Sequence, residues 1–205
     1  MKTLVIDSAT EACSVALFDG VALVAGDWRM LGRGHAEQLV PMIQALPGNG
    51  QADRIAVALG PGSFTGVRVG LAAARALAFA WNADLVGYPT LALIAAMALD
   101  EQPGEPVTVC TTGGHGEWFV QAFDAAGTAA GELASLPPAA AATSTCSDLV
   151  AGSQSQALVT QRGNGVALEI WPDARSFHLM SASQLTSETA PLYGRAPDAR
   201  LPGAA

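Results

Sequence analysis

The chain has little positive charge. Only ten of its 205 residues are Lys or Arg, against 18 Asp or Glu, and the one lysine is Lys2. The net charge of −8 argues against a large nucleic-acid footprint, because such footprints depend on contacts between cations and phosphates. A P-loop is excluded as well. That motif needs a lysine directly after its glycine-rich turn, and the one lysine of this chain is at residue 2.

Cysteines and long apolar runs are also scarce. The three cysteines, Cys13, Cys110 and Cys146, are odd in number and lack the spacing of a metal site. This pattern favours reduced thiols and a cytoplasmic location. The apolar runs fall well short of the ~18 residues of a transmembrane helix, and the first residues predict a strand rather than a signal peptide. Half of the residues are hydrophobic, which is enough for a substantial core.

The most informative segment joins a glycine-rich turn to a helix. The turn is Gly60-Pro-Gly-Ser63, and the helix is predicted over residues 63–82. Thr65 stands where a dinucleotide fingerprint needs its third glycine, and Pro61 stands where a nucleophile elbow needs its first. Both motifs are therefore excluded. The segment is therefore interpreted as the start of a helix, with Ser63 predicted as the N-cap.

Small residues recur four positions apart on this helix. The stripe consists of Gly66, Gly70 and Ala74, with Ala73 and Leu77 beside it. Another element can approach such a stripe very closely, and that contact must offset the ~1 kcal/mol that each helical glycine costs. The sequence leaves open whether the element is a partner or the chain's own sheet. Arg68 and Arg75 share a second stripe, for which two solvated arginines are the favoured interpretation.

Hydrophobic periodicity predicts an alternating α/β order up to residue 102. Strands are predicted at 3–7, 12–19, 21–28, 55–59 and 84–86, and helices at 35–46, 63–82 and 90–99, the last capped by Thr90. The order β-β-β-α-β-α-β-α is typical of a ribonuclease-H-like mixed sheet. The pattern weakens beyond the Pro- and Gly-rich boundary at 102–106. There we expect strands at 107–111, 118–123 and 157–160, irregular chain over 125–143, a short helix at 181–189 and an exposed tail over 194–205.

Three N-terminal blocks carry a family resemblance. They are residues 4–16 (LVIDSATEACSVA), 35–43 (HAEQLVPMI) and 60–70 (GPGSFTGVRVG). Together they resemble the bacterial TsaB (YeaZ) family, and Pro191-Leu-Tyr193 matches a further family feature. The resemblance is strong over residues 1–100. It is loose beyond, where residues 111–118 (TTGGHGEW) replace the family's Asp-Ala-Arg-type sequence.

The resemblance implies an actin-like (ASKHA) α/β fold of two lobes with mixed sheets flanked by helices. Residues 1–103 would form the N-terminal lobe, and residues 104–205 a smaller, degenerate C-terminal lobe with a tail. It also implies a non-catalytic scaffolding subunit for N6-threonylcarbamoyladenosine (t6A) modification of adenosine 37 in tRNAs reading ANN codons. Such a subunit binds the catalytic TsaD, recruits the ATPase TsaE, dimerises when TsaD is absent, and meets tRNA through the complex.

The family resemblance places the partner contact on the helices predicted at 35–46 and 63–82. The residues implied there are His35, Leu39, Met42, Ile43, Leu46, Gly66, Arg68, Val69, Gly70, Ala73, Ala74 and Leu77. A vestigial nucleotide site is implied at Asp7, Thr10, Gly60, Gly62 and Ser63. The site is expected to be vestigial because Ala9 stands where the ASKHA hairpin Asp-x-Gly-Thr needs glycine next to phosphate.

Neither a catalytic residue nor a metal is expected. The stretch 87–94 has no histidine where TsaD-like relatives carry their metal-binding His-x-x-x-His. No cofactor is expected on this chain alone, with ATP or ADP confined to the assembled complex. Two alternatives stay open: an active ASKHA ATPase or phosphotransferase, and a metallopeptidase-like "glycoprotease". The spacing of His35, His115 and His178 disfavours the second.

Overall fold

The computed structural model describes residues 1–194. Within that range the chain forms ten strands and five α-helices. The elements are, in chain order, β1 (Lys2–Asp7), β2 (Ala12–Asp19), β3 (Ala22–Met30), α1 (His35–Gln44), β4 (Arg54–Ala58), α2 (Phe64–Trp81), β5 (Asp84–Tyr88), α3 (Thr90–Glu101), β6 (Val107–Thr112), β7 (Trp118–Phe123), β8 (Ala134–Leu136), α4 (Pro138–Ser144), β9 (Leu149–Ala151), α5 (Ser155–Arg162) and β10 (Val166–Leu168).

The strands form two sheets of the same topology. The first has the order β3-β2-β1-β4-β5 and the second the order β8-β7-β6-β9-β10. In each, a three-stranded antiparallel meander is extended by two parallel strands. The predicted ribonuclease-H-like mixed sheet is therefore present twice, once in each half of the described chain.

The first sheet follows the sequence prediction closely. Its strands and helices differ from the predicted bounds by one or two residues at most ends. The α1 helix runs through Pro41 and ends at Gln44, two residues before the predicted end. The predicted cap of α3 is wrong: Pro89 holds the N-cap position in extended conformation, and Thr90 is the first helical residue. No side chain caps α3. Instead, the ring of Pro89 fixes the φ angle of the residue before the helix.

The second half departs from prediction. Residues 125–143, predicted to be irregular, contain β8 and most of α4. The strand predicted at 157–160 lies inside α5, because a four-residue apolar run does not distinguish a strand from one face of a short helix. The helix predicted at 181–189 is reduced to one 3-10 turn, Ala182–Gln184.

The chain after residue 171 returns to the first sheet. The amide of Ala174 donates to the hydroxyl of Ser14 on β2 (2.9 Å), and the Trp28 indole donates to the Pro172 carbonyl (3.3 Å). The ring of Phe177 lies 5.5 Å from that of Tyr88. Residues 172–177 therefore pack on the first sheet rather than within the second half. The predicted lobe boundary at 103/104 stays a prediction. Residues 195–205, the rest of the predicted tail, lie outside the described residues.

The small-residue stripe of α2 faces the chain's own sheet. A Cβ on Gly66 would overlap the carbonyl oxygen of Ser8, and a Cβ on Gly70 would lie 2.5 Å from the Ser8 hydroxyl. Ala74 is fully buried. The Ser8 hydroxyl also donates to the Gly66 carbonyl (2.9 Å), which ties the helix to the β1–β2 turn. Of the two arrangements that the sequence leaves open for this stripe, packing on the sheet is the one observed.

A substitution of Gly66 tests this close approach. We expect Gly66→Ala to destabilise the protein by roughly 2 kcal/mol, because the overpacking strain exceeds the helix propensity that alanine gains. The measurement is the midpoint of urea unfolding. The exposed Ala76 provides the control, since Ala76→Gly should cost only the ~1 kcal/mol propensity difference. A Gly66→Ala protein at least as stable as the wild type would show that the contact is not tight.

Candidate functional site

A cavity of about 490 Å³ lies between the two sheets. One wall is the β1–β2 turn with the glycine-rich turn before α2, and the opposite wall is the β6–β7 hairpin around Thr112–His115. Residues Leu192–Gly194 form a third wall. Four of the predicted vestigial residues belong to these two turns, and Thr10, Gly62 and Ser63 line the cavity itself.

The β1–β2 turn is closed against the glycine-rich turn. The amide of Ser63 donates to the Ala9 carbonyl (2.7 Å), and a Cβ on Gly62 would overlap the same carbonyl oxygen. The Ala9 amide donates to the Asp7 carboxyl group (3.0 Å), and the Ala12 amide donates to the Thr10 hydroxyl (3.3 Å). The side chains of the turn therefore engage two of its backbone amides, which are not free to bind an anion.

Asp7 is buried beneath this turn, with 1% of its surface exposed. One carboxyl oxygen accepts from Ala9, and the other lies 3.2 Å from the Tyr88 hydroxyl, which is also 3.2 Å from the Ile6 carbonyl. Burial raises the pKa of Asp7 to about 7, although the hydrogen bonds from Ala9 and Tyr88 oppose the shift. A protonated Asp7 can donate to the Tyr88 oxygen while Tyr88 donates to Ile6, which satisfies every group.

The glycine-rich turn sets the start of α2, as predicted. The Ser63 hydroxyl accepts from the Gly66 amide (3.2 Å), which confirms Ser63 as the N-cap. Gly60 has a positive φ of 94°, and a Cβ there would lie 3.0 Å from the Leu192 carbonyl. The turn thus contacts the end of the described chain as well as the β1–β2 turn.

Most of the residues predicted to bind a partner are buried in the isolated chain. The buried members are His35, Leu39, Met42, Ile43, Leu46, Gly66, Gly70 and Ala74. The first hydrophobic core contains Leu39, Met42, Ile43 and Leu46, and the buried small residues of α2 face the sheet. That these buried residues contact a partner stays a prediction. The half-buried members are Arg68, Val69, Ala73 and Leu77, and their contact with a partner stays a prediction.

The outward side of α2 carries the residues that the stripe prediction missed. Ala72, Ala76 and Ala80 are exposed and four residues apart, and Phe79 beside them is 92% exposed. We call these four residues the α2 ridge. The α1 helix, which packs against α2, exposes 47% of Val40. The signal was present in the sequence, because the alanine series has the same spacing as the glycine series.

Two arginines predicted to be solvated are engaged instead. Arg68 donates to the Phe64 carbonyl and to the Tyr193 hydroxyl, and its guanidinium stacks 3.2 Å above the Phe64 ring. Arg75 donates to the Thr189 carbonyl (2.7 Å). Both arginines therefore hold the C-terminal part of the described chain against α2.

The histidines do not form a metal site within residues 1–194. No group of three or more His, Cys, Asp or Glu side chains in that range has the arrangement of a metal site. His35 is buried at the start of α1, with Nε2 3.4 Å from the Ala12 carbonyl, and His178 lies 3.2 Å through Nδ1 from the Arg175 carbonyl. None of the α-helices described is both long and apolar enough to cross a membrane.

Comparison with known proteins gives the family. The family model described as TsaD: tRNA N6-adenosine threonylcarbamoyltransferase matches residues 29–162. Two relatives named tRNA threonylcarbamoyladenosine biosynthesis protein TsaB are 42% identical over 101 residues (Escherichia coli) and 36% identical over 116 residues (Haemophilus influenzae). The chain belongs to the TsaD family and, within it, to the TsaB (YeaZ) group. These matches cover 46% and 52% of this chain but only 43% and 47% of the two relatives.

Solved structures of the TsaB (YeaZ) group share the whole fold. YeaZ from Pseudomonas aeruginosa has a TM-score of 0.76 at 26% identity over 94% of this chain and 99% of that chain. A second P. aeruginosa structure, described as similar to peptidase YEAZ, reaches 0.78 at 29% identity over 95% and 99%. The ethanolamine utilization protein EutJ from Carboxydothermus hydrogenoformans shares the fold at 0.52 and 14% identity, over 88% and 90%. The predicted ASKHA-type two-lobe fold is confirmed.

The raised pKa of Asp7 predicts a pH-dependent stability. The folded state keeps the Asp7 proton up to about pH 7, whereas an unfolded aspartate loses it near pH 4. The free energy of unfolding should therefore fall as pH rises from about 4 to 7, by up to roughly 4 kcal/mol in total. Asp7→Asn should remove this part of the slope. Urea unfolding of both proteins across pH 4–8 measures it, and equal slopes would rule out a protonated Asp7.

Proposed function

We propose that this chain is a non-catalytic scaffolding subunit in the synthesis of t6A at adenosine 37 of tRNAs reading ANN codons. It binds TsaD through the α2 ridge and the exposed side of α1, recruits TsaE, and acts in the cytoplasm. The names of its TsaB relatives support the t6A assignment. The observation that carries the docking role is Phe79, an aromatic side chain left 92% exposed among alanines.

The α2 ridge has the properties of a helix-packing surface. A contiguous exposed apolar patch marks an interaction site, and the ridge joins Phe79 to three exposed alanines. Alanines four residues apart also let a second helix approach closely. The glycine stripe on the opposite side cannot serve this purpose, because it is already packed against Ser8 and Ile6. A helix face of this kind is also self-complementary, which supports a homodimer when TsaD is absent.

The scaffolding role agrees with the state of the β1–β2 turn. The Ala9 and Ala12 amides already have side-chain acceptors. Asp7 is 1% exposed and is not part of the cavity wall, so a magnesium ion in the cavity would not reach its carboxyl oxygens directly. Nucleotide, where the assembly uses it, and tRNA are therefore assigned to the complex with TsaD rather than to this chain.

A charge placed on the α2 ridge tests the docking surface. We expect Ala76→Arg to weaken binding to TsaD by at least about 30-fold, because a desolvated, unpaired charge at the centre of an interface costs about 2 kcal/mol or more. Isothermal titration of the two purified proteins measures the affinity. Ala157→Arg on the exposed side of α5 is the matched control and should leave it unchanged. Equal binding by a folded Ala76→Arg protein would place the interface elsewhere.

The alternative function is an active ASKHA ATPase. The cavity of about 490 Å³ next to the β1–β2 turn is where such an enzyme would bind its nucleotide, so nucleotide binding is the direct test. We expect calorimetric titration of the chain alone with Mg-ATP to give no heat of binding at micromolar concentrations, since the Ala9 and Ala12 amides already have side-chain acceptors. Micromolar binding together with ATP turnover that is lost in Asp7→Ala would establish the ATPase instead.

A further inference from the structure

The last part of the described chain bridges the two sheets. We call residues 184–194 the C-terminal strap. At its start the Gln184 side-chain amide donates to the Gly127 carbonyl (2.9 Å) in the second half of the chain. At its end Gly194 packs against Phe119 and Leu133, so closely that a Cβ would lie 2.7 Å from the Phe119 ring. Both ends of the strap are therefore held by the second half of the chain.

The middle of the strap is held by the first half. Thr186 and Gly87 on β5 exchange two backbone hydrogen bonds of 2.8 and 3.0 Å, and the Leu192 amide donates to the Leu59 carbonyl (2.8 Å). The α2 helix supplies two further hydrogen bonds, from Arg75 to the Thr189 carbonyl and from Arg68 to the Tyr193 hydroxyl. The Phe64 ring also contacts the ring of Tyr193. The strap thus connects the α2 helix to the second sheet by way of the chain's own backbone.

The strap lies on the surface, where Leu185 packs beside the first core and Gly194 against Phe119 of the second. None of its residues is buried, and Tyr193 is 52% exposed. Hydrogen bonds on the surface hold it in place, and such segments open at a lower free energy than global unfolding. Leu192, Tyr193 and Gly194 also form one wall of the cavity, and Gly194 contacts Phe119 on β7. Displacement of the strap therefore opens the cavity along that wall.

We propose that the C-terminal strap couples the docking helix α2 to the opening of the cavity between the two sheets, with the closed strap as the form that binds the partner. The partner half of this statement rests on the proposed function. A closed strap fixes the side chains of Arg68 and Arg75 beside the α2 ridge, so that the surface is ordered before the partner arrives. By linkage, a partner that prefers the closed form must itself slow the opening of the strap and of the cavity.

The first experiment uses the chain alone and hydrogen exchange followed by mass spectrometry. Tyr193→Phe keeps the ring and removes only the hydroxyl that accepts from Arg68, and Arg75→Ala removes the donor to Thr189. Each change should speed exchange of the Leu192 amide and of the 112–119 hairpin by about fivefold, the factor expected for one hydrogen bond. Arg75→Lys keeps a donor at this position, so the amides of the strap and of the hairpin should exchange close to the wild-type rate. Arg33→Ala removes an exposed arginine that takes no part in the strap contacts named above, and it is the control.

Faster exchange in the strap with no change in the 112–119 hairpin would overturn the coupling, because the strap would then open without affecting the cavity. The same conclusion would follow if Arg33→Ala changed the hairpin as much as Arg75→Ala does.

The second experiment adds purified TsaD. Bound TsaD should slow exchange in the strap and in the 112–119 hairpin, and Tyr193→Phe should weaken the affinity for TsaD about fivefold although it does not alter the α2 ridge. Unchanged affinity and unchanged strap exchange would overturn the coupling while the scaffolding role stands. Failure of the wild-type chain to bind TsaD would overturn the proposed function and the partner half of the coupling, and the first experiment would still decide the link between strap and cavity.

Discussion

The contact between α2 and the β1–β2 turn determines the arrangement of everything around it. Gly62 and Gly66 bring the backbone of the turn and the helix into direct contact with Ala9 and Ser8, at distances that no side chain would allow. This contact directs the opposite side of α2, with Ala76 and Phe79, towards solvent. It also joins the β1–β2 turn to the glycine-rich turn, where the Ser63 amide donates to the Ala9 carbonyl. A single close approach therefore accounts both for the exposed helix surface and for the joined turns beside the cavity.

The sequence was informative where the elements are long and their hydrophobic pattern is periodic. The first sheet, α1, α2 and α3 could be placed within a few residues. Strands such as β4 (Arg54–Ala58) are apolar after their first residue, and the helices have clear hydrophobic periods. The short elements of the second half could not. Three-residue strands such as Leu149–Ala151 have no measurable period, and they exist because a neighbouring strand supplies their hydrogen bonds.

The same limit applies to the candidate site. The Gly66–Gly70–Ala74 and Ala72–Ala76–Ala80 series have identical spacing, and periodicity alone does not say which of them faces the sheet. Only the contacts of Ser8 with α2 decide it. The roles of Arg68 and Arg75 were equally hidden, because their acceptors lie 125 and 114 residues further along the chain. Long-range pairings of this kind leave no local signal.

The return of the chain to its first sheet has a consequence for biosynthesis. Ser14 and its partner Ala174 are 160 residues apart, and at 5–20 residues per second the ribosome needs on the order of ten seconds to bridge that interval. During this time α1 and α2 can cover one face of β1 and β2. The other face, which Ala174 and Phe177 cover in the folded protein, stays exposed to water. The nascent first sheet must therefore remain soluble with one apolar face uncovered until residues 174–177 have been made.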